Sequence, residues 1–310
     1  MSMTLAEIRL KQNPILSNLM LGIKPGKLIA ERLFPRLPQA LSSIVLAKMG
    51  KEHLRRYNLR RTPGAETKQI NIKYEGEVYT VDQYAVDVPI PREWIREADE
   101  SRKLNVGNYL DISRIAMNTA SYVLGLDYEL EVASLATNPA TYGSNTLALA
   151  GAQKWSAVTG TPVTDVRTAA ELIRRKCGVR PNKLVFSAQA FFSVSMNPEV
   201  KSYLRTTTLG PASIEQMKNI FNVSEIEIGD AIWVDESDEG QDVWGNAAIL
   251  AYVPSMGGGG ASDFNLVEPA FGFTNVIEGH PFAETPYYRE SHKSWVYGDT
   301  FERRPSISFA

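Results

Sequence analysis

Thirty-two residues, from Asn105 to Ala136, pass without a proline and without strand-like alternation, and this run constrains the fold more than any other. Tyr109, Ile112, Ala116, Ala120, Val123, Leu126, Leu130 and Ala133 recur every three or four residues, the spacing of one face of an α-helix. Asn105 is the expected N-cap, and Asn138-Pro139 stops the helix because a residue before proline is pushed out of the α region. At a rise of ~1.5 Å per residue the expected helix, 105–136, is a rod of about 48 Å, long enough to be the spine of a domain. Gly125 costs ~1 kcal/mol relative to alanine there and marks where a bend is expected.

A chain of 310 residues, 44% hydrophobic and 22% charged, folds around a sizeable core and is not disordered. No apolar run reaches the ~20 residues of a membrane span, and Glu7, Arg9 and Lys11 leave no room for a secretory signal, so the expected compartment is a cytoplasm. The single Cys177 cannot form an internal disulfide, which agrees with a reducing environment.

The net charge of −2 hides an asymmetry. Residues 1–61 hold twelve Lys and Arg against three acids, a surplus of nine, which leaves the rest of the chain at −11. A basic arm on an acidic body can touch nucleic acid or the body of a neighbouring copy, and the second needs no further partner. Prolines 14, 25, 35, 38 and 63 break long elements in the arm, and Leu16, Leu19, Met20 and Ile23 fit one short helix. Leu28, Ile29, Leu33, Phe34, Leu37, Leu41 and Ile44 are too many apolar groups for a solvated tail, so the arm is expected to be ordered by packing, with another subunit as one candidate cover.

Between 68 and 90 the period changes to two. Ile70, Ile72 and Tyr74 alternate with polar residues, Glu75-Gly76 supplies a turn, and Val78, Tyr79, Val81, Tyr84, Val86, Val88 and Ile90 follow. The expectation is a β-hairpin or three-stranded meander, either projecting onto a neighbour or lying at the edge of its own domain. After the spine, Thr164 is the expected cap of a helix with the stripe Val166, Ala169, Ala170, Ile173 and Cys177, closed by Gly178, which makes Cys177 a buried, inert thiol. Leu184–Phe186 reads as a buried strand, 190–196 as a helix, and Ser213 with Gln216 as a capping box. Short strands fill 225–253, a loop lies at Gly257–Gly260, and aromatic strands close the chain from Phe282 to Phe301. Helices and strands mix without β-α alternation, so the class is α+β.

The search for chemistry is negative. His53, His280 and His292 lack a second ligand at metal-binding spacing. Asp235–Asp242 has the acidic composition of a calcium loop, but Asn246 stands where its last glutamate belongs, and an acidic turn is the reading. Gly257–Gly260 lacks the lysine of a phosphate loop, and no serine sits in a nucleophile elbow. No catalytic residue, cofactor or metal is expected.

The order of parts carries more: a basic arm, a ribbon, a spine helix, an α+β body and a returning end. With Thr137–Tyr142, Gln153–Ser156, Asp165 through Pro181–Ser187, Val243–Pro254, Glu268–Phe273, Pro286–Tyr288 and Lys293–Trp295 in that sequence, the chain resembles the tailed-bacteriophage major capsid proteins of the Hong Kong 97 type. The resemblance covers essentially the whole chain and rests on order, since no single motif is diagnostic.

The resemblance implies a shell subunit that assembles through hexamers and pentamers into an icosahedral head around double-stranded DNA. It implies an N-terminal arm at 1–66, an extended loop at 67–90, a peripheral domain at 91–160 and 286–310, and an axial domain at 161–285. Ile70, Ile72, Tyr74, Tyr79, Val81 and Tyr84 of the loop are then expected to contact a neighbour. Arg32, Phe34, Arg36, Arg55, Arg56, Arg60 and Arg61 of the arm are expected to face neighbours or the lumen. Implied partners are sister copies, a separate scaffolding protein, a portal, a decoration protein and DNA contacted without sequence preference. The virion is the implied location, after assembly in the host cytoplasm. Lys68 and Lys73 lie in the loop where some members form covalent crosslinks, but no asparagine–glutamate pair is assignable, so crosslinking is not expected. A bacterial nanocompartment shell shares the fold and is the rival reading, and an enzyme using His280 or His292 is a distant third.

Overall fold

The spine helix runs over Ile112–Thr137, 26 residues and about 39 Å. The structure, a computed structural model, describes residues 26–49, 55–64, 66–70, 74–103, 111–143, 145–204, 210–254 and 269–308. Asn105, the expected cap, lies outside these, as do His53, Ile72, Lys73, Gly257–Gly260 and the expected helix at Leu16–Ile23. The cap is Asp111, whose side chain accepts from Arg114 N. The buried face also differs from the expected stripe. Ala116, Ala120 and Ala133 of that stripe turn inward, but Leu124, Tyr128, Glu129, Val132 and Ala136 join them, while Val123 is exposed. Both stripes are apolar, and the choice is made by what Tyr128 and its neighbours touch across the fold. Gly125 does not interrupt the helix. A Cβ there would stand 2.8 Å from Leu28 Cδ1, so the glycine lets the arm cross closely.

Strands β1 (Arg36–Gln39), β2 (Ser43–Met49), β3 (Tyr74–Thr80) and β4 (Asp82–Pro91) precede the spine. Beyond it come β5 (Lys183–Ser187), β6 (Glu225–Gly229), β7 (Ile232–Val234), β8 (Gly240–Asp242), β9 (Ala248–Ala251), β10 (Gly272–Ile277), β11 (Phe282–Ala283), β12 (Tyr287–Arg289) and β13 (Ser294–Ile307). β13 is the axis of the larger sheet. Its one side pairs with β4 from Ser294 to Arg303, and its other side pairs in turn with β12, β11 and β10, with β1 parallel to β10 outside. The spine helix packs on this sheet through Tyr128 and Phe301, whose rings meet edge to face at 5.6 Å.

The second core is built on β5, every residue of which is buried because β6 and β9 flank it and helices cover it. Helices 162–177, 188–196 and 214–221 bring Val163, Val166, Val194, Met217 and Phe221 onto Phe186 and Leu184. The first of these begins at Pro162, two residues before the expected Thr164 cap, because Glu199 satisfies its free N–H groups. Val163 N donates to Glu199 Oε2 at 2.7 Å, and Thr164 Oγ1 donates to Oε1 at 2.7 Å. Gly178 at φ 80° closes that helix and the Ser213–Gln216 capping box opens 214–221, both as expected. Cys177 is half-buried rather than buried. Strands β10 and β11, which the sequence division places in the axial unit, belong to the larger sheet. The core around β5 takes its last contributions from Ala248 and Leu250 of β9.

Candidate assembly surfaces

The ribbon is not formed within 67–90. β3 pairs with β2 from the arm, Ser43 opposite Thr80 through Met49 opposite Tyr74, and Glu75-Gly76 lies inside β3 rather than at a turn. The sequence between β2 and β3 carries Arg55 to Lys68, so the ribbon takes in the end of what reads as arm, from Ser43 on. Seven pairs at ~3.3 Å extend it about 23 Å. β4 leaves it altogether to pair over ten residues with β13.

This changes the roles of the expected loop contacts. Tyr79 is buried at the ribbon root, edge-on to Phe273 at 5.6 Å and beside Leu37, and Val81 is buried one turn of the pleat further on. Tyr84 belongs to β4 and stacks on Arg303 at 4.0 Å. Tyr79 and Val81 are covered by their own chain, and Tyr84 is half-buried against it. Ile70 remains exposed, and Tyr74 sits on β3.

The arm is likewise partly interior. Phe34 is fully buried, edge-on to Phe271 at 5.5 Å, which corrects its placement at a neighbour or the lumen. The Arg32 guanidinium is exposed, 3.9 Å from Glu227, while the Arg32 carbonyl accepts from Lys183 Nζ at 2.7 Å. Arg36 pairs with Glu31 and lies 5.2 Å from the Phe301 ring centroid. Arg55, Arg56, Arg60 and Arg61 are exposed.

Two buried charges join these parts, and sequence reasoning missed both. Glu129 on the spine is fully buried and accepts from Ile29 N at 2.9 Å, Ala30 N at 2.8 Å and Trp244 Nε1 at 2.7 Å. One carboxylate thus ties the spine, the arm and the segment after β8. Burial pushes its pKa up, and the three donors pull against that shift. Gly229 makes room for the joint, since a Cβ there would overlap the Trp244 indole. Gly229→Ala is expected to cost about 1–3 kcal/mol by displacing Trp244, read as a lower urea midpoint and altered Trp fluorescence. Arg303, also fully buried, donates to Asp127 Oδ2 at 2.6 Å and Glu131 Oε2 at 3.2 Å beneath the Tyr84 ring. A charged residue on an apolar helix stripe, as at Glu129, was the available signal.

Among the described residues no other chemistry assembles. The Asp235 carboxylate is spent on its own turn, accepting from Ser237 N at 2.9 Å, Glu239 N at 3.0 Å and Gln241 Nε2 at 3.2 Å, and the two N–H groups, Glu239's foremost, lower its pKa. Among the described residues no three His, Cys, Asp or Glu side chains gather as a metal site, and no helix is long and apolar enough to cross a membrane. What the molecule offers instead is a two-stranded ribbon on a braced body.

No family model matches the chain. The major capsid protein of Burkholderia phage BcepMu is 31% identical over 275 residues, 88% of this chain and 86% of that protein. The chain belongs to the phage major capsid protein family. A phage-related protein from Bordetella bronchiseptica RB50, solved by crystallography, is 32% identical with a TM-score of 0.71 over 96% of this chain and 94% of its own. The capsid of cyanophage P-SCSP1u, at 14% identity and a TM-score of 0.57, covers 92% and 86% and shares the fold. That fold is the Hong Kong 97 type.

Proposed function

We propose that the chain is the shell subunit of a tailed-phage head, closing through rings of five and six copies into an icosahedral particle around double-stranded DNA. The observation that carries the reading is the ribbon. A two-stranded sheet paired with no third strand among the described residues is marginal in water alone, and a second copy supplies its cover. The contact is heterologous, so repeated rotation closes a ring. The body stays rigid through Glu129 and Arg303 while the ribbon adapts to rings of either size.

In this reading the extended loop is 43–80, the peripheral unit combines the arm near 26–42 with 82–143 and 270–308, and the axial unit is 161–253. Assembly in the host cytoplasm with a separate scaffolding protein, a portal and a decoration protein completes the scheme, and the shell works without catalysis. The test is the content of purified particles. Nuclease-protected duplex DNA is the expected result, whereas particles filled with protein cargo and no DNA mark a nanocompartment.

A further inference from the structure

β7 is uncovered on both of its faces. Ile232, Trp233 and Val234 are 45, 36 and 55% exposed, and among the described residues their strand pairs only with β8. Successive strand residues point to opposite sides, so no single edge of the body hides them. Exposed contiguous apolar groups rimmed by charge mark an interaction surface. The rim here is acidic: Asp230, Asp235, Glu236, Asp238, Glu239 and Asp242 surround the hairpin, and residues 219–288 hold twelve Asp and Glu with no Lys or Arg.

The region between β2 and β3 is the complement. Leu59 and Ile70 are 68 and 43% exposed, in a stretch, 50–73, that holds seven Lys and Arg against two acids, Glu52 and Glu66. Among the described residues no carboxylate pairs with Arg55, Arg56 or Arg60.

We propose that the β7–β8 hairpin of one copy seats the basic ribbon end of a second copy, apolar centre on apolar centre and cationic rim on acidic rim. The inference rests on the shell reading and names the receptor surface within it. Duplex DNA is the competing occupant of the ribbon end, but a polyanion is repelled by the hairpin carboxylates and leaves Ile232–Val234 bare. A second copy covers both surfaces, and opposed charges set the register of the contact and speed the encounter.

The test uses full-length chains in a Cys177→Ser background. Chains with Leu59→Cys are mixed with chains carrying Trp233→Cys under mild oxidation, and non-reducing electrophoresis reads covalent dimers. The account expects about tenfold more dimer in the mixture than in either chain alone. It expects loss on Glu236→Lys/Glu239→Lys in the second chain and recovery when Arg60→Glu/Arg61→Glu is placed in the first, a swing of roughly tenfold for ~1.4 kcal/mol. Dimer no more abundant than in the single chains, or insensitive to both charge reversals, overturns the contact. Closed particles forming from chains that never link would sink this contact alone, while absence of particles from the unsubstituted chain would count against the shell reading.

Discussion

Arg303→Ala is expected to cost the subunit about 3–5 kcal/mol, a large share of the ~5–15 kcal/mol that holds a domain together. The guanidinium is fully buried between β13 and the spine, with Asp127 at 2.6 Å, Glu131 at 3.2 Å and the Tyr84, Phe301 and Tyr128 rings at 4.0, 5.0 and 5.1 Å. Removing it leaves a cavity under three aromatic rings. It also strips Glu131 of the positive charge that opposes the upward push of burial on its pKa. Arg303→Lys keeps the charge but loses the planar fork and its stacking, so it is expected to recover only part of the loss. Urea midpoints of the three chains at pH 7 check the ranking. A midpoint for Arg303→Ala equal to that of the unsubstituted chain would show that the pairing does not hold helix to sheet.

Glu129→Gln is the second large effect, at about 1–3 kcal/mol for each buried N–H left without a partner. Three N–H donors converge on the carboxylate, and an amide offers one acceptor oxygen and an NH2 that faces donors, so at least one buried N–H loses its partner at ~1–3 kcal/mol. The pH dependence has a definite sign. Burial raises the folded-state pKa above the ordinary 4.5, so the folded chain holds more protons than the unfolded one in that window. This contribution is fully present below pH 4.5 and is lost as the pH climbs through the raised value. Glu129→Gln removes that slope, so the deficit of the variant is expected to be largest near pH 4 and to shrink toward pH 8. Urea midpoints across that range read it, and parallel curves would mean that Glu129 does not titrate between the two states.

Reading the sequence locates elements whose signals are local. The capping box at Ser213, the Gly178 terminus, the β5 strand and the spine all rest on spacings within one or two turns. The order of those elements carries the family. The ribbon partner was missed because β2 and β3 are joined by a long connection, and period-two alternation continues without a break from β3 into β4 although the two strands serve different sheets. Phe34, Tyr79 and Val81 look like uncovered apolar groups until distant segments reach them: Phe271, and Phe273 with Leu37. The partners of Glu129 and Arg303 were hidden for the same reason, since Glu129 meets backbone 100 residues away and Arg303 meets a carboxylate 172 residues away. Hydropathy also could not choose between two apolar stripes on the spine.

Electron cryomicroscopy of the full-length chain, expressed alone and with its scaffolding partner, tests the central claim most directly. The account predicts closed particles in which five- and six-membered rings share one rigid body, with the 43–80 ribbon lying across an adjacent copy. A chain that stays monomeric under both conditions, with its ribbon folded on its own body, would contradict it.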